Sequence, residues 1–127
     1  MSKIGLFRCA DNERKCPLTS CFKSLNHREQ GFAGYADTEL VGVFTLQKDT
    51  EENLALAKIL KAKGAEAIHL VTCAFARKGE GKTWHLGGGF IEQTSALAQK
   101  IAEATNLPCI KGSAHLPADY KPEIFNP

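Results

Sequence analysis

The chain has 127 residues, of which 43% are hydrophobic and 24% charged, and a formal net charge of +2. That length fits a single domain, residues 1–127, able to bury a core without disulfide or metal staples. So small a charge gives no electrostatic ground for nucleic acid or an anionic membrane as partner, and no apolar run approaches the length of a membrane span.

The run from Met1-Ser-Lys into Ile4-Gly-Leu-Phe contains no long apolar stretch of the kind found in secretory signals, so the expected compartment is the cytoplasm. Stable disulfides are not expected there. Five cysteines cannot all pair internally. In a reducing compartment such a cluster points to metal or catalysis, unless the thiols simply pack as small buried hydrophobes.

Taken in chain order, Lys3 to Cys9 reads as the first strand. Asp11 to Lys15 is polar loop, continued by Pro17. Thr19 or Ser20 is placed to cap a helix running through about Gln30, with Phe22 and Leu25 facing inward. Glu39 to Thr45 is the second strand. The clearest helix is Thr50 to Lys63, opened by Asp49 with Glu52 in a capping-box pattern and stopped by Gly64. Leu56 and Leu60 are its i,i+4 pair, with Ala57 and Ile59 beside them. Ala67 to Thr72 is the third strand, and Ala74 to Gly89 reads as a long basic, glycine-rich loop. Phe90 to Ala104 has helical periodicity. Cys109 to Gly112 is the last strand. The tail from Leu116 to Pro127, with three prolines, reads as extended.

Strands alternating with helices predict parallel pairing through right-handed crossovers. The expected fold is α/β: a three-layer sandwich around a flavodoxin-like, four-stranded parallel sheet in the order 2-1-3-4. Ligands of such sheets bind at the C-terminal strand ends, near the switch point between the first and third strands. Cys9, Cys73 and His115 each follow a predicted strand at that edge, and Cys16 and Cys21 lie in the first loop and helix start.

These stretches together resemble the CGGC-domain family. The resemblance rests on Arg8-Cys9, Cys16-Pro17, Cys21-Phe22-Lys23, Leu40-Val-Gly-Val-Phe-Thr45, Lys63-Gly-Ala, Ile68-His-Leu-Val-Thr-Cys73 and Gly112-Ser-Ala-His115, in that order. Where the family has its naming motif, this chain has Thr45-Leu-Gln-Lys-Asp49, without cysteine. Trp84-His85-Leu stands roughly where the family has a later Cys-Pro segment. The resemblance implies a metal-binding role, usually put as zinc, carried here by Cys9, Cys16, Cys21, Cys73 and His115.

Three functions follow from these residues. Zinc wants four ligands, commonly thiolate and imidazole, and Cys9, Cys16 or Cys21, Cys73 and His115 supply Cys3His. Iron–sulfur ligation usually needs four cysteines. The spacing Cys9-x6-Cys16-x4-Cys21 is not a standard zinc knuckle. The second function is a thiol-based redox enzyme using Cys9, Cys16 or Cys21. Cys21 sits in a helix first turn, where the dipole lowers a thiol pKa, and Arg8, Arg14 and Lys15 add positive charge. The third is an interaction module that has lost the family site. A phosphatase-type loop fits poorly: Arg14 follows Cys9 after only four residues, and the loop lacks glycine. His69, inside a strand, reads as a core histidine bonded to backbone, and His27 as surface. His85 beside Trp84 is either a replacement ligand or an ordinary loop histidine. Gly87-Gly88-Gly89 ahead of a helix could hold an anion or act as a hinge. Glu80 and Lys82, with Arg77 and Lys78, suit a solvated loop, and Glu51-Glu52 suits its helix N-terminus.

Overall fold

The computed structural model describes residues 2–79 and 83–127. Glu80 and Lys82 therefore lie outside the described residues. The first strand, β1 (Ser2–Arg8), runs through the middle of the core, with Ile4, Leu6 and Phe7 wholly buried. It pairs in parallel with β2 (Thr38–Thr45) on one side and β3 (Ala67–Leu70) on the other. The β1–β2 register slips by one residue between Ile4 and Gly5, so that Gly5 faces Gly42. Both glycines lie under Leu60 of helix α2 (Thr50–Ala62). A Cβ on Gly5 would stand 3.1 Å from Leu60 and Ile68 side-chain atoms, so the bare backbone lets helix and sheet close together.

Helix α2 is built as its sequence suggests. Asp49 caps it by accepting a hydrogen bond from the Glu51 amide at 3.1 Å, and Gly64 turns the chain away at φ 112°. Asn53, Ala57 and Leu60 form its buried face, while Ile59 is exposed. Asn53 also locks the turn before it. Its amide oxygen accepts from the Gln47 amide and its nitrogen donates to the Gln47 carbonyl, both at 2.8 Å.

Helix α1 (Thr19–His27) departs from expectation at both ends. Neither Thr19 nor Ser20 caps it: Leu18 is the N-terminal flanking residue, at φ 66°, with no side-chain cap. It stops before Gln30 because Arg28 turns left-handed at φ 53°, and a single 3-10 turn (Gln30–Phe32) follows. Leu25 is buried as expected, but Phe22 is only half-buried.

Three further elements correct the sequence reading. The stretch read as loop contains an antiparallel hairpin, β4 (Ala76–Lys78) and β5 (Trp84–Leu86). Helix α3 (Thr94–Thr105) begins four residues later than expected, where Thr94 Oγ1 donates to the Ile91 carbonyl at 2.6 Å. After β6 (Cys109–Lys111), the tail supplies β7 (Glu123–Phe125), antiparallel to β6. The sheet is thus not four-stranded and wholly parallel. It has five strands in the order β2-β1-β3-β6-β7, mostly parallel, with an antiparallel edge.

Helices α2 and α3 pack against each other and against the sheet. Their crossovers run in the same direction, which for right-handed connections places both on one face. The β1–α1–β2 crossover runs the opposite way and carries α1 to the other face. No helix among the described residues is long and apolar enough to cross a membrane.

Candidate functional site

Parallel pairing of β1 with β3 brings their C-terminal ends together. Cys9 follows β1 directly and Cys73 lies three residues past β3 in a 3-10 turn, their Cα atoms lie 6.2 Å apart, and the two form a disulfide. This corrects the expectation of a reduced cluster: in this form neither sulfur is a thiolate, so neither is a metal ligand. The two sulfurs differ in access. Cys9 is 2% exposed, whereas Cys73 is half-buried. Asn12 directs its side-chain nitrogen at Cys9 Sγ from 3.5 Å.

The loop after β1 is folded back by Arg8, whose guanidinium donates to the carbonyls of Cys16 at 2.8 Å and Asn12 at 3.3 Å. Cys16 Sγ accepts the Leu18 amide at 3.4 Å, and Cys21 Sγ lies 3.1 Å from Ser113 Oγ. Ser113 also ties the ends of β3 and β6 together. Its hydroxyl accepts the Thr72 amide and its own amide donates to Thr72 Oγ1, both at 3.2 Å. Burial pushes the Cys21 thiol above its ordinary pKa, opposed by its contacts with Ser113 and Ala114. The lowering expected from the helix dipole is therefore outweighed by desolvation.

His115 follows this turn at φ 54° and stacks on Trp84 of β5, ring centroids 5.3 Å apart and planes within 11°. Burial, helped by Lys78, lowers its pKa and favours the neutral imidazole. Cys16, Cys21, Cys73 and His115 line one cavity of about 140 Å³, closed by Trp84 and Ser113. Four of the five residues singled out from sequence thus meet there, and the fifth, Cys9, is bonded to Cys73. They do not form a ready metal centre. Among the described residues, no three of His, Cys, Asp or Glu are grouped to hold an ion.

Cys73 also lines a second, outer cleft of about 360 Å³ on the hairpin side, with Asp11, Arg77, Lys78 and the Gly88-Gly89 backbone. Gly89 cannot carry a side chain there, since a Cβ would stand 2.6 Å from the Phe75 amide nitrogen.

The remaining histidines are not part of the cavity. His69 is wholly buried in β3. Its Nδ1 donates to the Gly112 carbonyl at 2.9 Å, which leaves Nε2 to accept from the Tyr35 hydroxyl at 2.8 Å. Phe32 stacks on the ring at 4.3 Å. Burial pushes its pKa down to about 4, so it is neutral over the physiological range. Tyr35 escaped the sequence reading because nothing around it marks a functional position. His85 is exposed and contacts Thr83, and His27 is exposed on α1. The fifth cysteine, Cys109, is sealed inside β6, and burial drives its thiol pKa far up.

A mixed α/β domain with a cysteine cluster at one sheet edge is the class of protein these features define. Residues 3–114 match the model of the CGGC domain, and the chain belongs to that family. It is also similar to an uncharacterized protein of Methanocaldococcus jannaschii, 36% identical over 80 residues, which is 58% of this chain and 62% of the relative. No solved structure matches. The segment Thr45 to Asp49 is the end of β2 and the turn locked by Asn53. Within it Leu46 is wholly buried, and Lys48 donates to the Phe90 carbonyl. Here that turn is part of the packing and carries no thiol.

Proposed function

We propose that the protein performs thiol–disulfide chemistry at the C-terminal edge of its sheet. One observation carries this reading: the accessible sulfur of the Cys9–Cys73 disulfide shares a cavity with two free thiols, Cys16 and Cys21. A thiolate that reaches Cys73 Sγ displaces Cys9 and forms a mixed disulfide, which a second thiol resolves. Cys16, half-buried on the same cavity, is a free thiol placed to exchange with Cys73 from inside the protein. His115 lines the same cavity, its imidazole biased toward the neutral form, and is the group suited to take the thiol proton. The chain acts as one soluble cytoplasmic domain.

The test is thiol counting under denaturing conditions combined with turnover. Unreduced protein is expected to show three alkylatable cysteines, Cys16, Cys21 and Cys109, and reduced protein all five. Cys73→Ser is expected to abolish exchange with a disulfide substrate. Turnover that survives this substitution would refute the reading.

Metal binding is a second reading, favoured by the family and by five ligand-type side chains at one edge. The bonded form described here does not fit it, because zinc needs deprotonated donors in a tetrahedral set and two of the sulfurs are spent on each other. Reduction frees Cys9 and Cys73 to join Cys16, Cys21 and His115. Elemental analysis of anaerobically reduced, untagged protein distinguishes the readings. About one zinc per chain, released by alkylation, supports a metal-holding reduced state.

A further inference from the structure

We infer that the outer cleft is a substrate site, and that its substrate is a small anionic thiol that attacks Cys73. The inference rests on the thiol–disulfide reading and names the reductant that reading leaves open.

Cys73 is the sulfur on which both cavities converge. It lines the inner cavity with Cys16 and Cys21, and the outer cleft with Arg77 and Lys78. Cys9, at 2% exposure, offers no surface to an incoming nucleophile. An external thiol therefore meets the disulfide at Cys73, and the outer cleft on the hairpin side, about 360 Å³ against about 140 Å³ for the inner cavity, is the roomier approach. The outer cleft, at about 360 Å³, is the size of a small-ligand site. Two cations, the exposed Gly88 backbone and the half-buried Gly89 face its space against one carboxylate, Asp11. That balance favours a ligand carrying negative charge, and the size excludes a folded protein substrate from the cleft itself. The Asn12 amide, 3.5 Å from Cys9 Sγ, stands where the leaving sulfur gains its charge.

The exchange balances without any further reactant. The substrate thiolate bonds to Cys73 Sγ, the Cys9–Cys73 bond breaks, and its electron pair leaves on Cys9, which accepts from Asn12. A second substrate thiolate attacks the sulfur of the bound substrate and releases the small disulfide, with the pair left on Cys73. Two thiols are oxidised, one protein disulfide is reduced, and the two thiol protons end on Cys9 and Cys73.

The experiment uses the oxidised full chain and two probes of matched size, mercaptoethanesulfonate as anion and mercaptoethylamine as cation, at equal thiolate concentration. Samples are quenched with iodoacetamide at early times and peptide-mapped. The probe is expected on Cys73 and the alkyl group on Cys9. The anionic probe is expected to react about tenfold faster, the lower range of electrostatic focusing in a charged cleft. Arg77→Gln with Lys78→Gln, both at exposed positions, is expected to remove that advantage while leaving the fold intact. Equal rates for the two probes, or an adduct first seen on Cys9 or Cys16, would overturn the inference and leave the thiol–disulfide reading standing. A disulfide that neither probe opens in the folded protein would overturn both.

Discussion

Two polar clusters share strand β3, and they treat their donors and acceptors in opposite ways. Around His69, in mid-strand, every polar atom of the ring is spent on the protein itself: Nδ1 on Gly112, Nε2 on Tyr35. The ring is sealed by Phe32 and has no exposure. Around Cys73, just past the strand, a half-buried sulfur, two free thiols and a neutral imidazole line open space. A satisfied, dry cluster stabilises a fold, whereas groups left with unused valence at a cavity are available for chemistry. The same strand thus supplies a lock and, a few residues on, a reactive edge.

The comparison can be broken most strongly at the disulfide. Cys9 and Cys73 are 64 residues apart, and in the chain-entropy model closing such a loop is worth about 4 kcal/mol. Reduction in the presence of a chelator is expected to lower the urea-derived unfolding free energy by an amount of that order. Cys73→Ser is expected to match it without reductant. Identical unfolding curves before and after reduction would remove the disulfide from the stability account.

The lock is tested by pH. His69 has a folded-state pKa of about 4, below its ordinary value near 6.5. Its neutral form is the one the fold accepts, so its contribution is complete above pH 6.5 and is lost as pH falls toward 4. The shift corresponds to roughly 3 kcal/mol. In His69→Phe that part of the acid dependence should flatten, while overall stability drops because the Gly112 carbonyl loses its donor. A variant with an unchanged pH slope would show that other groups carry the acid sensitivity.

Two glycines near the lock give a smaller, sharper contrast. A Cβ on Gly31 would stand 2.5 Å from backbone atoms of Gly112, whereas Gly34 has nothing within 4 Å. Gly31→Ala is expected to cost about 2 kcal/mol through backbone displacement. Gly34→Ala should stay within about 0.5 kcal/mol of the parent. Paired thermal melts decide it, and equal shifts would contradict the packing described here.

The smallest effect belongs to the edge. Trp84 covers His115 and closes the thiol cavity. Trp84→Ala is expected to raise the alkylation rate of Cys16 several-fold with little change in stability. An unchanged rate would mean that the hairpin does not control access.

Much of this arrangement is legible in the sequence, for reasons that differ by element. Helix α2 carries its own punctuation in Asp49 and Gly64, the buried strands β1 and β3 announce themselves as short apolar runs, and the half-buried β2 does so through Leu40, Val41, Val43 and Phe44. The convergence of Cys9 with Cys73 follows from two adjacent parallel strands. Their bonding does not, because it depends on the distance between strand ends and on redox state, neither of which is written in spacing. Hairpin β4–β5 and strand β7 stayed hidden because each strand is three residues long and mixes polar with apolar side chains. The helix dipole suggested an activated Cys21, but burial against Ser113 decides the matter only once the fold is known. Tyr35 matters through a contact with His69 across 34 residues, which no local pattern reveals.

The most direct test of the central claim is the reduction potential of the Cys9–Cys73 pair, measured by equilibration in thiol redox buffers with mass-resolved thiol counting. An exchanging pair is expected to titrate as one two-electron transition between about −180 and −270 mV, the range of disulfide oxidoreductases. A pair that stays oxidised below about −300 mV is a structural staple. That result would contradict the assignment of the sheet edge as a site of thiol exchange.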